Sequence, residues 1–265
     1  MNTLVNILRS KRLEIDELRR SKRVDELERA AIEASSVRGF ATALRKGSRT
    51  IIAEIKRASP SRGVIADDIS IPVIAQEYAA GGAAALSVLT DSPFFGGSDQ
   101  DLRAARGSCS LPVLRKDFVL DERQVVESRA MGADAILLIV RILNDAELHR
   151  LFEAAKKWSM DILVETHTEQ EIERANRLGA SIIGINNRDL ESFKVDLSKA
   201  ERMRSLIRVD AIAVAESGIR NTTDAHRMFA AGFDALLVGE GIVRSGDRAQ
   251  TIRTMRNPDH AGTLH

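Results

Sequence analysis

Glu54 and Lys56 interrupt an otherwise apolar, β-branched run, Ile51-Ile52-Ala53-Glu54-Ile55-Lys56, which empties into Ser59-Pro60-Ser61-Arg62-Gly63. The run reads as a strand followed by a loop. Alternation along a strand puts Ile52, Glu54 and Lys56 on one face and Ile51, Ala53 and Ile55 on the other, so one face ends in a carboxylate and an ammonium. Withdrawing either charge from water is costly unless the two pair, and a structural ion pair at a strand end is one reading. The loop favours the other, a binding site, because its hydroxyls and amides can hold an oxyanion.

Other apolar runs end in the same way. Arg115-Lys116-Asp117-Phe118 follow Pro112-Val113-Leu114, Glu165-Thr166-His167 follow Asp161 to Val164, Asn186-Asn187-Arg188 follow Ile182 to Ile185, and Glu216-Ser217-Gly218 follow Ala211 to Ala215. Alternation places Leu163 with Glu165, Gly184 with Asn186, Val214 with Glu216, and Leu237 with Gly239. One rim therefore collects carboxylates and lysines, the equipment for moving protons. Gly218 and Gly239-Glu240-Gly241 precede expected helix starts, where backbone N–H groups unobstructed by a Cβ bind phosphate; tight turns are the alternative. Phe95 and Phe118 can clasp an aromatic ring or pack the rim. His167 is expected to be a solvated loop residue. His149, His226, His260 and His265 show no ligand spacing, so no metal is expected.

The elements that must carry these residues follow from a repeat. Four times an amphipathic segment closes on glycine and an apolar strand follows: Tyr78 to Leu89, Arg129 to Leu138, Asn176 to Ile185, and Phe229 to Val238, each glycine being read as a helix C-cap. With Ile51–Ile55, Pro112–Leu114, Asp161–Val164 and Ala211–Ala215 they make eight strands separated by helix-length segments, which implies a closed parallel (β/α)8 barrel. An open doubly wound sheet lacks its Gly-x-Gly-x-x-Gly after the first strand. In a barrel the chemistry belongs at the C-terminal strand ends, where the charges cluster.

Residues 1–48 have another texture, with apolar residues at helical spacing among many charges. Arg9, Lys11, Arg12, Arg19, Arg20, Lys22 and Arg23 interleave with Glu14, Asp16, Glu17, Asp25, Glu26 and Glu28, so a solvated helix face explains them better than a nucleic-acid surface. The whole chain of 265 residues carries 39 Lys plus Arg against 38 Asp plus Glu, giving no bulk electrostatic attraction to nucleic acid or an anionic membrane. The single cysteine, Cys109, forms no internal disulfide and suits a reducing compartment. No run approaches a membrane span and the first twelve residues lack a signal-peptide core, so a cytoplasmic protein is expected.

Ile52-Ala53-Glu54-Ile55-Lys56-Arg57-Ala58-Ser59-Pro60-Ser61, Leu86-Ser87-Val88-Leu89-Thr90-Asp91, Phe95-Gly96-Gly97-Ser98 and Pro112-Val113-Leu114-Arg115-Lys116-Asp117-Phe118 resemble the indole-3-glycerol phosphate synthase family. Leu163-Val164-Glu165, Gly184-Ile185-Asn186-Asn187-Arg188-Asp189-Leu190 and Glu216-Ser217-Gly218-Ile219 continue the likeness, in order from about Phe40 to Arg244. The resemblance implies a (β/α)8 barrel with residues 1–48 as a helical extension over the active-site rim; from length one domain over 1–265 is expected, and the tail, 257–265, which matches the family poorly, is expected to be disordered. It implies conversion of 1-(2-carboxyphenylamino)-1-deoxyribulose 5-phosphate to indole-3-glycerol phosphate, with loss of carbon dioxide and water, in tryptophan biosynthesis. Carried over by resemblance, Lys116 is the general acid on the substrate carbonyl, Glu165 the carboxylate that moves protons and stabilises cationic intermediates, and Glu54 the partner of Lys56. Lys56, Ser59, Ser61, Gly218, Gly239 and Glu240 surround phosphate, the Glu240 amide pointing inward and its carboxylate away. Asn186, Arg188, Glu216 and Ser217 line the substrate; whether Phe95 and Phe118 clasp its aromatic ring or pack the rim stays open. No cofactor or metal is implied. The expected partner is one small phosphorylated molecule, and the expected state a monomer or weak homo-oligomer. A sister phosphosugar barrel, phosphoribosylanthranilate isomerase, is the rival reading, but its cysteine and aspartate acid–base pair is missing at the strand ends. A non-catalytic phosphate-ligand sensor is free to lose Lys116 or Glu165, and both are present.

Overall fold

Apolar side chains on both faces of eight short strands require cover on both sides, and closure into a barrel wrapped by helices supplies it. The computed structural model describes residues 3–21, 23–59, 63–64, 70–189 and 194–257. The strands are β1 (Thr50–Ile55), β2 (Ala58–Ser59), β3 (Gly63–Val64), β4 (Ala85–Leu89), β5 (Val113–Lys116), β6 (Ala135–Ile139), β7 (Asp161–Thr166), β8 (Ile182–Asn186), β9 (Ile212–Glu216) and β10 (Ala235–Val238). β2 and β3 form a small antiparallel pair, and the other eight close in the order β1-β4-β5-β6-β7-β8-β9-β10, all parallel. The expected (β/α)8 barrel is present.

The helices are α1 (Thr3–Arg20), α2 (Arg23–Glu33), α3 (Phe40–Arg45), α4 (Ile71–Ala80), α5 (Ser92–Phe95), α6 (Asp99–Ser108), α7 (Glu122–Met131), α8 (Asp145–Lys157), α9 (Glu169–Leu178), α10 (Leu197–Met203), α11 (Thr222–Ala230), α12 (Glu240–Val243) and α13 (Arg248–Arg256). Gly132 and Gly179 are left-handed C-caps of α7 and α9 as expected. α11 differs: its cap is Ala231, and Gly232 one residue on takes the positive φ of 94°.

Strand alternation sorts the interior into two clusters. Ile52, Ala85, Leu114, Ala135, Leu137, Leu163, Ile182, Ile212, Val214, Ala235 and Leu237 fill the barrel, while Ile51, Ala53, Leu86, Val88, Ile183, Ala213 and Leu236 face the helices. Residues expected to share the inward face do so, and that face ends in the charged rim.

The N-terminal segment departs from expectation in where it lies. Only α1 reaches the rim, its Ile7 joining the cluster that holds Phe118. α2 runs along α7, whose Arg129 donates to the carbonyls of Ala34 and Ser35 at 2.9 and 2.8 Å. α3 sits at the opposite end of the barrel, where fully buried Phe40 and Leu44 join the interior cluster and Ala41 N donates to Asp161 Oδ2, at the start of β7, at 2.8 Å. The described residues between Thr3 and Gly47 therefore clasp the barrel from its mouth to its base. The expected tail beyond Asn257, and Ser61, lie outside the described residues.

Candidate active site

Burial of charge is affordable at the mouth because opposite signs interlock. Lys116 Nζ, at the end of β5, donates to Glu165 Oε2 at the end of β7 at 2.9 Å, with Glu216 Oε2 from β9 at 3.6 Å. Lys56 Nζ donates to Glu54 Oε1 at 2.5 Å. Arg188 N donates to Asn186 Oδ1 at 3.0 Å, which leaves the amide nitrogen of Asn186 to favour the ionised form of Glu165. Glu54, Lys56, Lys116, Glu165, Asn186 and Glu216 thus form one network, and the positive charge of Arg188 acts on Glu54.

The surroundings of Glu165 and Glu216 drive their two carboxyls in opposite directions, the first toward the ionised and the second toward the protonated form. Burial alone raises both. For Glu165 the Lys116 ammonium, His167 and hydrogen bonds from Lys116 and Asn186 overcome it and hold the carboxyl well below its usual range. For Glu216 the charge of Glu165 adds to burial, and Lys116 only partly opposes, so its carboxyl is pushed well up. Neither oxygen of Glu216 accepts a hydrogen bond among the described residues, which suits a carboxylic acid whose own O–H faces Glu165. Glu216 reaches Glu165 across β8, because the residue between them in the sheet is Gly184, paired with Glu165. A Cβ there would collide with Glu216 Oε1.

Lys116 is itself held. Burial lowers its pKa, but Glu165, Glu216 and Glu54 raise it further, so it stays an ammonium. Sequence alternation correctly separates it from Asp117, which accepts from Arg115 at 3.1 Å and Thr90 at 2.6 Å. Two other carboxylates, those of Glu165 and Glu216, engage Lys116 instead. Glu54 is likewise kept ionised: burial raises it, and Lys56, Lys116 and Arg188 pull it down.

The other predicted residues are distributed around this network. Gly239 borders it, since a Cβ there would strike Glu54 Oε1 and stand 3.0 Å from Lys56 Nζ. Ser217 and Gly218 follow β9 with φ of 64° and 83°, in a turn where a Cβ on Gly218 would meet Val195, so packing alone demands that glycine. The Glu240 carboxylate lies 3.9 Å from Arg244. Phe95 and Phe118 face each other with centroids 6.2 Å apart and planes at 37°. Ser59 pairs with Gly63 through the backbone of β2 and β3.

Three residues escaped the sequence reading. His167 is 1 % exposed rather than solvated, with Glu165 and Glu171 each 3.5 Å from a ring nitrogen. Lys11 is buried, not part of a solvated face. Ser87, paired in register with Glu54, has a fully buried hydroxyl with no partner among the described residues. Inward parity with Glu54 was the available signal for Ser87; nothing local distinguishes Lys11 from the other helix charges.

A family model described as indole-3-glycerol phosphate synthase matches residues 4–255, the barrel, its rim and the clasping helices together. The chain belongs to the indole-3-glycerol phosphate synthase family. Curated relatives agree: the indole-3-glycerol phosphate synthase of Desulfosudis oleivorans is 49% identical over 87% of this chain and 89% of its own length. That of Azospirillum brasilense is 41% identical over 96% of this chain and 98% of its own. Among solved structures, the fold is shared with 3-hexulose-6-phosphate synthase from Salmonella typhimurium (TM-score 0.61, 14% identity, covering 78% of this chain and 96% of that one). It is shared also with thiamine phosphate pyrophosphorylase from Pyrococcus furiosus (TM-score 0.59, 17% identity, 80% and 96%). Family membership extends to α1, beyond the stretch from Phe40 to Arg244 that carried the resemblance.

Proposed function

We propose that this chain closes the indole ring of 1-(2-carboxyphenylamino)-1-deoxyribulose 5-phosphate, releasing carbon dioxide and water, with Lys116 as proton donor and Glu165 as the ionised carboxylate. The observation that carries the reading is the Lys116–Glu165–Glu216 group, one ammonium 2.9 and 3.6 Å from two buried carboxyls at the barrel mouth, the first driven toward its ionised and the second toward its protonated form. Ring closure joins the aromatic carbon that loses its carboxylate to the ketose carbonyl carbon, so negative charge develops on the carbonyl oxygen. An ammonium held firmly by carboxylates is a weak acid toward a ketone but a competent donor to an alkoxide, and donation can proceed as that charge develops. The cationic ring intermediate then stands beside Glu165, which favours it electrostatically and can take the proton lost when water departs. The proton on Glu216 offers a second donor next to the same network.

Lys56, with the amide of Gly239 beside it, is assigned to the phosphate, Gly218 and Glu240 contributing backbone N–H groups and Ser59 and Ser61 hydroxyls. Arg188, Asn186 and Ser217 are assigned to the sugar and carboxylate, and Phe95 and Phe118 to the aromatic ring. We take the chain as one domain in the cytoplasm, acting as a monomer or weak homo-oligomer; no helix of the described residues is long and apolar enough to cross a membrane. Incubation with the carboxyphenylamino deoxyribulose phosphate tests the function. Indole fluorescence should rise with one carbon dioxide released per product, whereas turnover of phosphoribosylanthranilate instead would assign the sister isomerase reaction.

A further inference from the structure

Among the charges of α1, one turns inward. Lys11 is 3 % exposed, and its ammonium stands 3.0 Å from Asp91 Oδ2, 3.0 Å from Asp117 Oδ1 and 2.8 Å from Glu14 Oε2. The two aspartates belong to different rim loops. Asp91 follows β4 and caps α5, its Oδ1 accepting from Phe94 N at 2.9 Å, while its carbonyl accepts from Gly97 N at 2.9 Å. Asp117 follows Lys116 directly, and its Oδ1 accepts from Phe118 N at 2.8 Å. One loop thus presents Phe95 and the other presents Lys116 and Phe118, with the two rings facing each other across the gap.

The two anchors depend on Lys11 unequally. Asp117 keeps Arg115 and Thr90 without it. Asp91 is completely buried, and its Oδ2 accepts no hydrogen bond among the described residues, so the Lys11 ammonium 3.0 Å away is what compensates its charge.

We infer that Lys11 is a positioning residue: by bridging Asp91 and Asp117 it fixes the spacing of the two loops that carry the aromatic pair and the proton donor, and so holds the ring of the substrate against Lys116. This rests on the proposed ring closure, and it gives α1 a specific task at the mouth. A long, threefold donor suits the task, since one ammonium can satisfy carboxylates from two loops and its own helix at once.

Charge neutralisation and tethering can be separated. Lys11→Met strands the Asp91 carboxylate in a buried site and is expected to lower Tm. Adding Asp91→Asn removes that charge while keeping the side-chain oxygen that caps α5, so Lys11→Met/Asp91→Asn should regain most of the lost Tm. The tether is still absent. In the double variant kcat/KM for the carboxyphenylamino deoxyribulose phosphate should therefore remain reduced, on the order of 10- to 100-fold, as for a remote change that misplaces reacting groups. Stabilisation by inorganic phosphate, bound on the other side of the mouth, should match wild type. Wild-type kcat/KM in a double variant of restored Tm would overturn the inference, as would a double variant whose kinetic loss is accompanied by equal loss of phosphate stabilisation. Failure of the wild-type protein to turn over the substrate would count against the proposed function instead.

Discussion

The carboxyl of Glu216 occupies the space that a Cβ on Gly184 would fill. Glu216 can meet Glu165 across an intervening strand only because that strand has no side chain there. Gly184→Ala should therefore displace Glu216 without touching substrate, at a stability cost of about 1–3 kcal/mol from overpacking. Turnover is expected to fall by on the order of 10-fold or more as the proton-bearing carboxyl leaves its place. Steady-state kinetics beside a melting curve checks this, and unchanged kcat would show that the position of Glu216 is immaterial.

Stability should carry the mark of Glu216 in its pH dependence. Its folded pKa stands above the ordinary value of 4.5, raised by burial and by the charge of Glu165. Between those two values the native state binds a proton that the unfolded chain has lost, so the contribution to stability falls as pH rises through that window. Below the ordinary value no penalty exists, and above the raised value it is complete. Glu216→Gln, a permanent mimic of the acid, should match wild type at about pH 4 and gain Tm relative to it by about pH 9. Parallel Tm curves for the two proteins across that range would remove the case for a shared proton.

Much of this site is legible in the sequence because strand parity is a local property. Glu54, Glu165 and Glu216 each lie two residues beyond an inward apolar residue, Lys116 two beyond Leu114 and Asn186 two beyond Gly184, so the rim could be assembled from alternation once eight strands were counted. Lys11 and His167 were not legible. Seven basic residues crowd positions 9–23, and which of them turns inward depends on Asp91 and Asp117, distant in sequence. His167 is buried by the loop geometry after β7, where its own N–H donates to Glu171 Oε2 at 2.6 Å. The base-closing role of Phe40 and Leu44 escaped for the same reason: an apolar pair in a short helix does not reveal which end of a barrel it covers.

Phosphate binding provides a readout independent of chemistry. Lys56 lies beside the space above Gly239, so inorganic phosphate should raise Tm by mass action, by about 2.7 kcal/mol of stability at a hundredfold excess over Kd. Lys56→Met should weaken that effect markedly while Lys116→Met leaves it intact. Titration of Tm against phosphate for both variants decides it, and equal loss in the two would relocate the anion.

The most direct test of the account is single-turnover ring closure by Lys116→Met, followed by indole fluorescence. The substitution keeps the apolar stem and removes the ammonium that Glu165 and Glu216 surround. The variant should fold, keep its stabilisation by phosphate and close the ring more slowly by on the order of 10² or more, as for loss of a general acid. Lys116→Arg should recover little, since a guanidinium yields its proton reluctantly. Near wild-type ring closure in Lys116→Met would contradict the assignment and move the proton donor to Lys56.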